Sequence, residues 1–170
     1  MKKYLRNIVF LISSLVFYVL WINGGEKAYG KLVATGIDKF TTKISKIENV
    51  EYKHFKKEQK TLLYLKYPDR TTKIALEYCL PVVLLLAWQF SLFFDRRISV
   101  NYALKLLGIN FLILYFLQII FPLLLFNISQ SKAKSMGLFI GLQIFGFIVF
   151  FLILKDSLLI KNNKLQQSEN

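Results

Sequence analysis

Residues 106–126, LLGINFLILYFLQIIFPLLLF, follow Lys105 without a single charge. A helix that crosses the hydrocarbon core of a bilayer needs about 20 predominantly apolar residues, in a range of roughly 17–25. The run is continuous rather than alternating, so it reads as a spanning helix and not as a barrel strand. Three more windows have the same character. They are residues 7–25, NIVFLISSLVFYVLWINGG, residues 78–94, YCLPVVLLLAWQFSLFF, and residues 135–154, SMGLFIGLQIFGFIVFFLIL. Charged residues crowd between the windows. The expected fold is an all-α membrane protein: a four-helix transmembrane bundle with a small extracytoplasmic α+β insertion between spans one and two. The expected parts are a first transmembrane helix at 1–25, an amphipathic helix plus a short β segment at 26–76, a three-helix transmembrane region at 77–160 and a polar cytoplasmic tail at 161–170.

The composition agrees with this division. The chain has 170 residues, 55% of them hydrophobic, and a formal net charge of +13. Its mean hydropathy is +0.44. A soluble domain sits near 45–50% apolar. In a soluble protein such a charge would suggest nucleic acid, but no stacking platform accompanies it. Contact with anionic lipid headgroups is the better reading, at about 1 kcal/mol for each basic residue near the surface. Membrane lipids are therefore expected partners and nucleic acid is not. The single cysteine, Cys79, excludes an intrachain disulfide. With one histidine, His54, a site built from His and Cys lacks the three or four ligands it needs. No metal and no cofactor is expected.

Lysine and arginine near span ends orient a membrane chain. Lys2, Lys3 and Arg6 favour an inside N-terminus, and Arg96, Arg97, Lys155, Lys161 and Lys164 then fall on the same side. Only Lys132 and Lys134 sit in the short outer turn. The lysine-rich segment 26–76 would lie outside, against the rule, since it is shorter than the limit of roughly 60 residues. Both termini inside, in the inner membrane of a bacterium, is the expected arrangement. Met1-Lys2-Lys3 resembles the start of a signal peptide. The long apolar stretch without a small-x-small cleavage pattern favours retention as an anchor, with Asn23, Gly24 and Gly25 ending the helix.

Within 26–76, Tyr29, Leu32, Val33, Ile37, Phe40, Ile44 and Ile47 recur every three or four residues, on one face of a helix. Lysines occupy the rest. Two roles remain open. The apolar face contacts lipid or a partner, lying in the headgroup layer, or it packs on its own domain. Val50–Phe55, Thr61–Tyr67 and Thr71–Tyr78 are strand candidates, with a turn over Lys57–Lys60 and a break at Pro68-Asp69. Alone, so small a sheet is marginal.

No catalytic set stands out. Cys79, His54 and Arg70 are the residue types of a thiol transpeptidase. Cys79, however, opens an apolar helix, where an inert cysteine is the common case. Asn110, Gln118, Gln89 and Gln143 are the polar residues of the spans and are candidates for interhelical hydrogen bonds. Gly137 and Gly141 form a G-x-x-x-G, with Gly146 beyond it, a spacing that lets helices approach. Pro81 falls in the first turn of its helix, and Pro122 is a candidate kink.

The order of parts resembles that of small proteins associated with bacterial exosortases: a basic start, a first span, an amphipathic stretch, a β-like segment and three further spans. The second span opens with an aromatic-x-x-Pro and a leucine-rich run, here Tyr78-Cys79-Leu80-Pro81 followed by Val82 to Ala87. The chain does not resemble an exosortase itself, since it lacks spaced Cys, Arg and His in its spans. The resemblance implies a non-catalytic accessory role in sorting or processing exported proteins, with a partner membrane enzyme or an exported substrate, and it supplies no catalytic residue. A small oligomeric transporter or channel is the alternative.

Overall fold

Pro81 and Asp95 bracket the segment where structure and expectation differ most. The computed structural model describes residues 2–44, 48–55, 60–66, 71–75, 79–95, 98–128 and 133–168. They form five α-helices, α1 (Lys2–Leu20), α2 (Glu26–Ile44), α3 (Pro81–Leu92), α4 (Val100–Ile128) and α5 (Ala133–Ser168), with strands β1 (Asn49–Phe55), β2 (Lys60–Lys66) and β3 (Thr71–Ala75) between α2 and α3. Three stretches, Leu5–Phe40, Val100–Pro122 and Gly141–Lys161, are long and apolar enough to cross a membrane. The fourth is not. Helix α3 has 12 residues, about 18 Å at 1.5 Å per residue, against a hydrocarbon thickness of about 30 Å. Pro81 sets its start in the first turn, where a missing N–H costs little.

The shortness of α3 has a physical reason. Pro81, Val82, Val83, Leu85, Ala87, Trp88, Gln89, Ser91 and Leu92 are all buried, so α3 is the centre of the bundle and packs against α1, α4 and α5. The outer helices are apolar on the other side as well. Leu11, Leu15 and Val19 of α1, Leu112 and Phe116 of α4, and Phe147 and Phe151 of α5 are exposed. Soluble monomers rarely carry contiguous apolar surface on that scale.

Helix α1 ends in a wide π-type turn over Trp21–Gly25. Gly24 has φ +131° there, a conformation that side chains resist. Asn23 Nδ2 donates to the carbonyl of Val19 at 2.7 Å. Across this kink the chain continues into α2, whose inner face is made by Tyr29, Val33, Ala34 and Ile37. Val33 and Ile37 are 0% exposed. Leu32 and Phe40 stay half-exposed at its margin, with the Phe40 ring edge-on to Phe116 at 6.2 Å. Of the two roles open for this helix, α2 thus takes packing on its own domain for much of its face. The approach to α4 is close at Gly36, where a Cβ would lie 2.4 Å from Ile119 Cδ1 and 2.6 Å from Tyr115 Oη.

The sheet is antiparallel in the order β1-β2-β3. Tyr52 stands opposite Leu63 and Leu63 opposite Ile74. Successive side chains of a strand alternate between faces, so Val50, Tyr52, Leu63, Leu65 and Ile74 share the inner face. Leu63 and Leu65 are fully buried in the core that also holds Val33 and Ile37. The expected turn at Lys57–Gln59, the break at Pro68-Asp69, and Ile47, Arg70, Arg96, Arg97 and Lys132 lie outside the described residues. The expected polar tail is helical to Ser168.

Candidate functional site

Polar side chains gather at two levels of the bundle. At the level where α1 begins and α3 ends, Gln89 of α3, Asn110 of α4 and Asp156 of α5 meet. Gln89 Nε2 donates to Asp156 Oδ2 at 2.7 Å, and Asn110 Nδ2 donates to the same oxygen at 2.8 Å. Lys155 Nζ donates to Asn110 Oδ1 and faces Asp156 Oδ1 at 3.4 Å. Asp156 and Asn110 are 0% exposed. Gln89 Oε1 is buried without a hydrogen-bond partner. A charge in such surroundings persists only when it is paired and hydrogen-bonded. The arrangement clamps three helices to one carboxylate.

Nearby, Arg6 Nη1 donates to Asp95 Oδ2 at 3.0 Å. The Arg6 guanidinium lies 5.1 Å above the Trp88 ring, which Phe10 meets edge-on. This set ties the start of α1 to the end of α3.

At the opposite level, the Tyr29 hydroxyl donates to Gln118 Oε1 at 2.6 Å. Tyr115 Oη donates to the Leu32 carbonyl at 3.1 Å, and Tyr52 Oη to the Lys27 carbonyl at 2.8 Å. Two phenols thus seat α2 on α4, and the third ties β1 to α2. On the outer face of the sheet, Tyr64 lies under two ammonium groups, Lys53 at 5.1 Å and Lys73 at 5.4 Å. Glu51, on that same face, is bonded to Lys66 and lies 3.4 Å from Lys53. The hydrogen bond and charge of Lys66, then those of Lys53, hold its carboxyl below the usual range.

A cleft of about 600 Å³ opens beside the π-type turn, between α1, β1 and the start of α3. His54 lines it with Glu26 and Lys27. Cys79 does not line it: its side chain is buried in the apolar core. Arg70, the third residue of that set, lies outside the described residues. Among the described residues, no group of three or more His, Cys, Asp or Glu is placed to hold a metal.

The residues singled out from the sequence fall as follows. Gln89 and Asn110 join at Asp156, and Gln118 holds Tyr29. Gln143 is exposed and Gly141 buried on α5. Ile44 lies in α2 and Gly137 in α5. A Cβ at Gly146 would meet nothing within 4 Å. Asp156 itself escaped the sequence reading, because the expected span stops at Leu154. The apolar residues Leu158, Leu159 and Ile160 resume beyond the Lys155-Asp156 pair, and that resumption was the available signal. Glu26 and the Arg6–Asp95 pair were missed as well.

Comparison with protein-family models, with curated proteins and with solved structures finds no match.

Proposed function

We propose that the chain is a multi-pass protein of the bacterial inner membrane, with both termini cytoplasmic and the α2-and-sheet cap outside. In this reading it is a non-catalytic accessory subunit of an exosortase-like envelope sorting system. Its cap holds a partner membrane enzyme or an exported substrate. The observation that carries the reading is the cap itself. Phenolic hydrogen bonds fix it to α4 while its outer face presents Tyr64 between Lys53 and Lys73. Tyrosine is enriched at recognition surfaces, and the flanking lysines give this one a positive rim. The basic residues at the far end of the bundle, Arg6, Lys105, Lys155 and Lys161, suit a cytoplasmic surface. The test is affinity purification from native membranes in mild detergent. Co-purification of a membrane enzyme in fixed ratio, lost in Tyr64→Ala, supports the reading. Recovery of this chain alone overturns it.

A second reading, a small oligomeric transporter or channel, is favoured by Asp156, since ionisable groups inside a membrane bundle commonly mark ion paths. Ion or proton flux in proteoliposomes that disappears in Asp156→Asn would establish it. Equal flux in protein-free vesicles would remove it.

A further inference from the structure

We infer that the cleft beside the π-type turn binds the headgroup of an amine-bearing phospholipid, with Glu26 as the acceptor for its primary ammonium. The inference rests on the membrane reading above. The cleft, of about 600 Å³, has two kinds of wall. Tyr18, Ile22 and Leu142 form an apolar side. Tyr18 and Ile22 are 49% and 46% exposed and continue the exposed stripe of Leu15 and Val19 down α1. An acyl chain lying along that stripe leads its headgroup to the turn. The polar side is made by Glu26, Lys27 and His54.

Glu26 identifies the ligand. Its Oε1 is buried and has no hydrogen-bond partner. An unsatisfied buried carboxylate oxygen is costly, and an N–H donor carrying positive charge is its best complement. The ammonium of a phosphoethanolamine group has three such N–H bonds. The quaternary ammonium of phosphocholine has none, and phosphoglycerol carries no cation. Lys27, exposed on the first turn of α2, stands beside Glu26 to meet the phosphate, with His54 across the cleft on the inner face of β1. Opposite charges are thus set side by side in the cleft, as in a zwitterionic headgroup.

The test uses the full chain, delipidated in mild detergent and titrated with phosphatidylethanolamine, phosphatidylcholine or phosphatidylglycerol of matched acyl chains, bound lipid being read by native mass spectrometry. The expected result is preferential retention of phosphatidylethanolamine, on the order of tenfold over phosphatidylcholine, the difference that one charge-assisted hydrogen bond makes. In Glu26→Gln that preference falls to near equality while the circular dichroism spectrum is unchanged. Lys27→Ala weakens binding of both phosphatidylethanolamine and phosphatidylcholine and leaves their ratio in place. Soluble phosphoethanolamine, without acyl chains, competes far more weakly than the lipid. Equal binding of the three lipids, a preference that survives Glu26→Gln, or displacement of lipid by a short lysine-bearing peptide would overturn the inference. Failure of the chain to partition into detergent or membranes would overturn the membrane reading instead, and fractionation reads that separately.

Discussion

Asn110 Nδ2 and Gln89 Nε2 converge on one oxygen of Asp156, at 2.8 Å and 2.7 Å. Three helices therefore share a single anion, and removing it leaves Gln89, Asn110 and Lys155 without their common partner. Asp156→Ala is expected to destabilise the bundle by roughly 3 kcal/mol, the range for breaking a buried pair from one side. Asp156→Asn keeps an acceptor and should cost less, about 1–2 kcal/mol. Lys155→Met should cost less than Asp156→Ala, because the lysine side chain is 37% exposed. Unfolding in mixed micelles of increasing denaturing detergent measures all three.

Arg6 joins α1 to α3 by a bond to Asp95 and by its position over Trp88. Arg6→Ala should lower stability by about 2 kcal/mol, since it removes both a charge-assisted hydrogen bond and a cation–π contact. Arg6→Lys should recover only part, as an ammonium lacks the planar fork that stacks on the indole. Trp88 fluorescence, shifted in both variants and more in Arg6→Ala, reports the change at the site.

Gly36 is where α2 comes closest to α4. A methyl group there meets Ile119 and Tyr115 well inside van der Waals distance. Overpacking costs roughly 1–3 kcal/mol, against about 1 kcal/mol gained by replacing a helical glycine. Gly36→Ala should be neutral to destabilising by about 2 kcal/mol and should loosen the bond between Tyr115 and Leu32. Faster amide exchange in α2, with α3 unchanged, checks it.

Glu51 supplies a pH dependence for the sheet. Its carboxyl is held low by Lys66 and Lys53, so the folded state favours the ionised form. That contribution is complete above the unfolded value of about 4.3 and is lost as pH falls through the lower folded value. Exchange protection across β1 and β2 should therefore fall below about pH 4 in the native chain. In Glu51→Gln this acid limb should be flatter. High salt should weaken the effect at neutral pH, as the pair is exposed.

Much of this architecture was legible because it depends on short periods. Val33 and Ile37 repeat every four residues and are the buried face of α2. Leu63 and Leu65 repeat every two and are the buried face of β2. The features that escaped depend on contacts between distant segments. Gln89 and Asp156 are 67 positions apart, and nothing local distinguishes a buried aspartate beside Lys155 from an interfacial one. The length of α3 was misread because apolar composition extends past the helix at both ends. Where helix stops was decided by Pro81 at one end and by Asp95, held by Arg6, near the other. Glu26 marked only the end of the first apolar window, because its place beside the cleft depends on the kink at Asn23 and Gly24.

The account rests on the cap standing outside the membrane with the end of α5 inside. Thiol labelling tests this directly. In a Cys79→Ala background, Lys53→Cys and Lys161→Cys each place one thiol at an exposed position, and intact cells are treated with a membrane-impermeant maleimide. The account predicts labelling at position 53 in intact cells and at position 161 only after the membrane is opened. Labelling at 161 with silence at 53, or a chain released from membranes by alkaline carbonate, would contradict it.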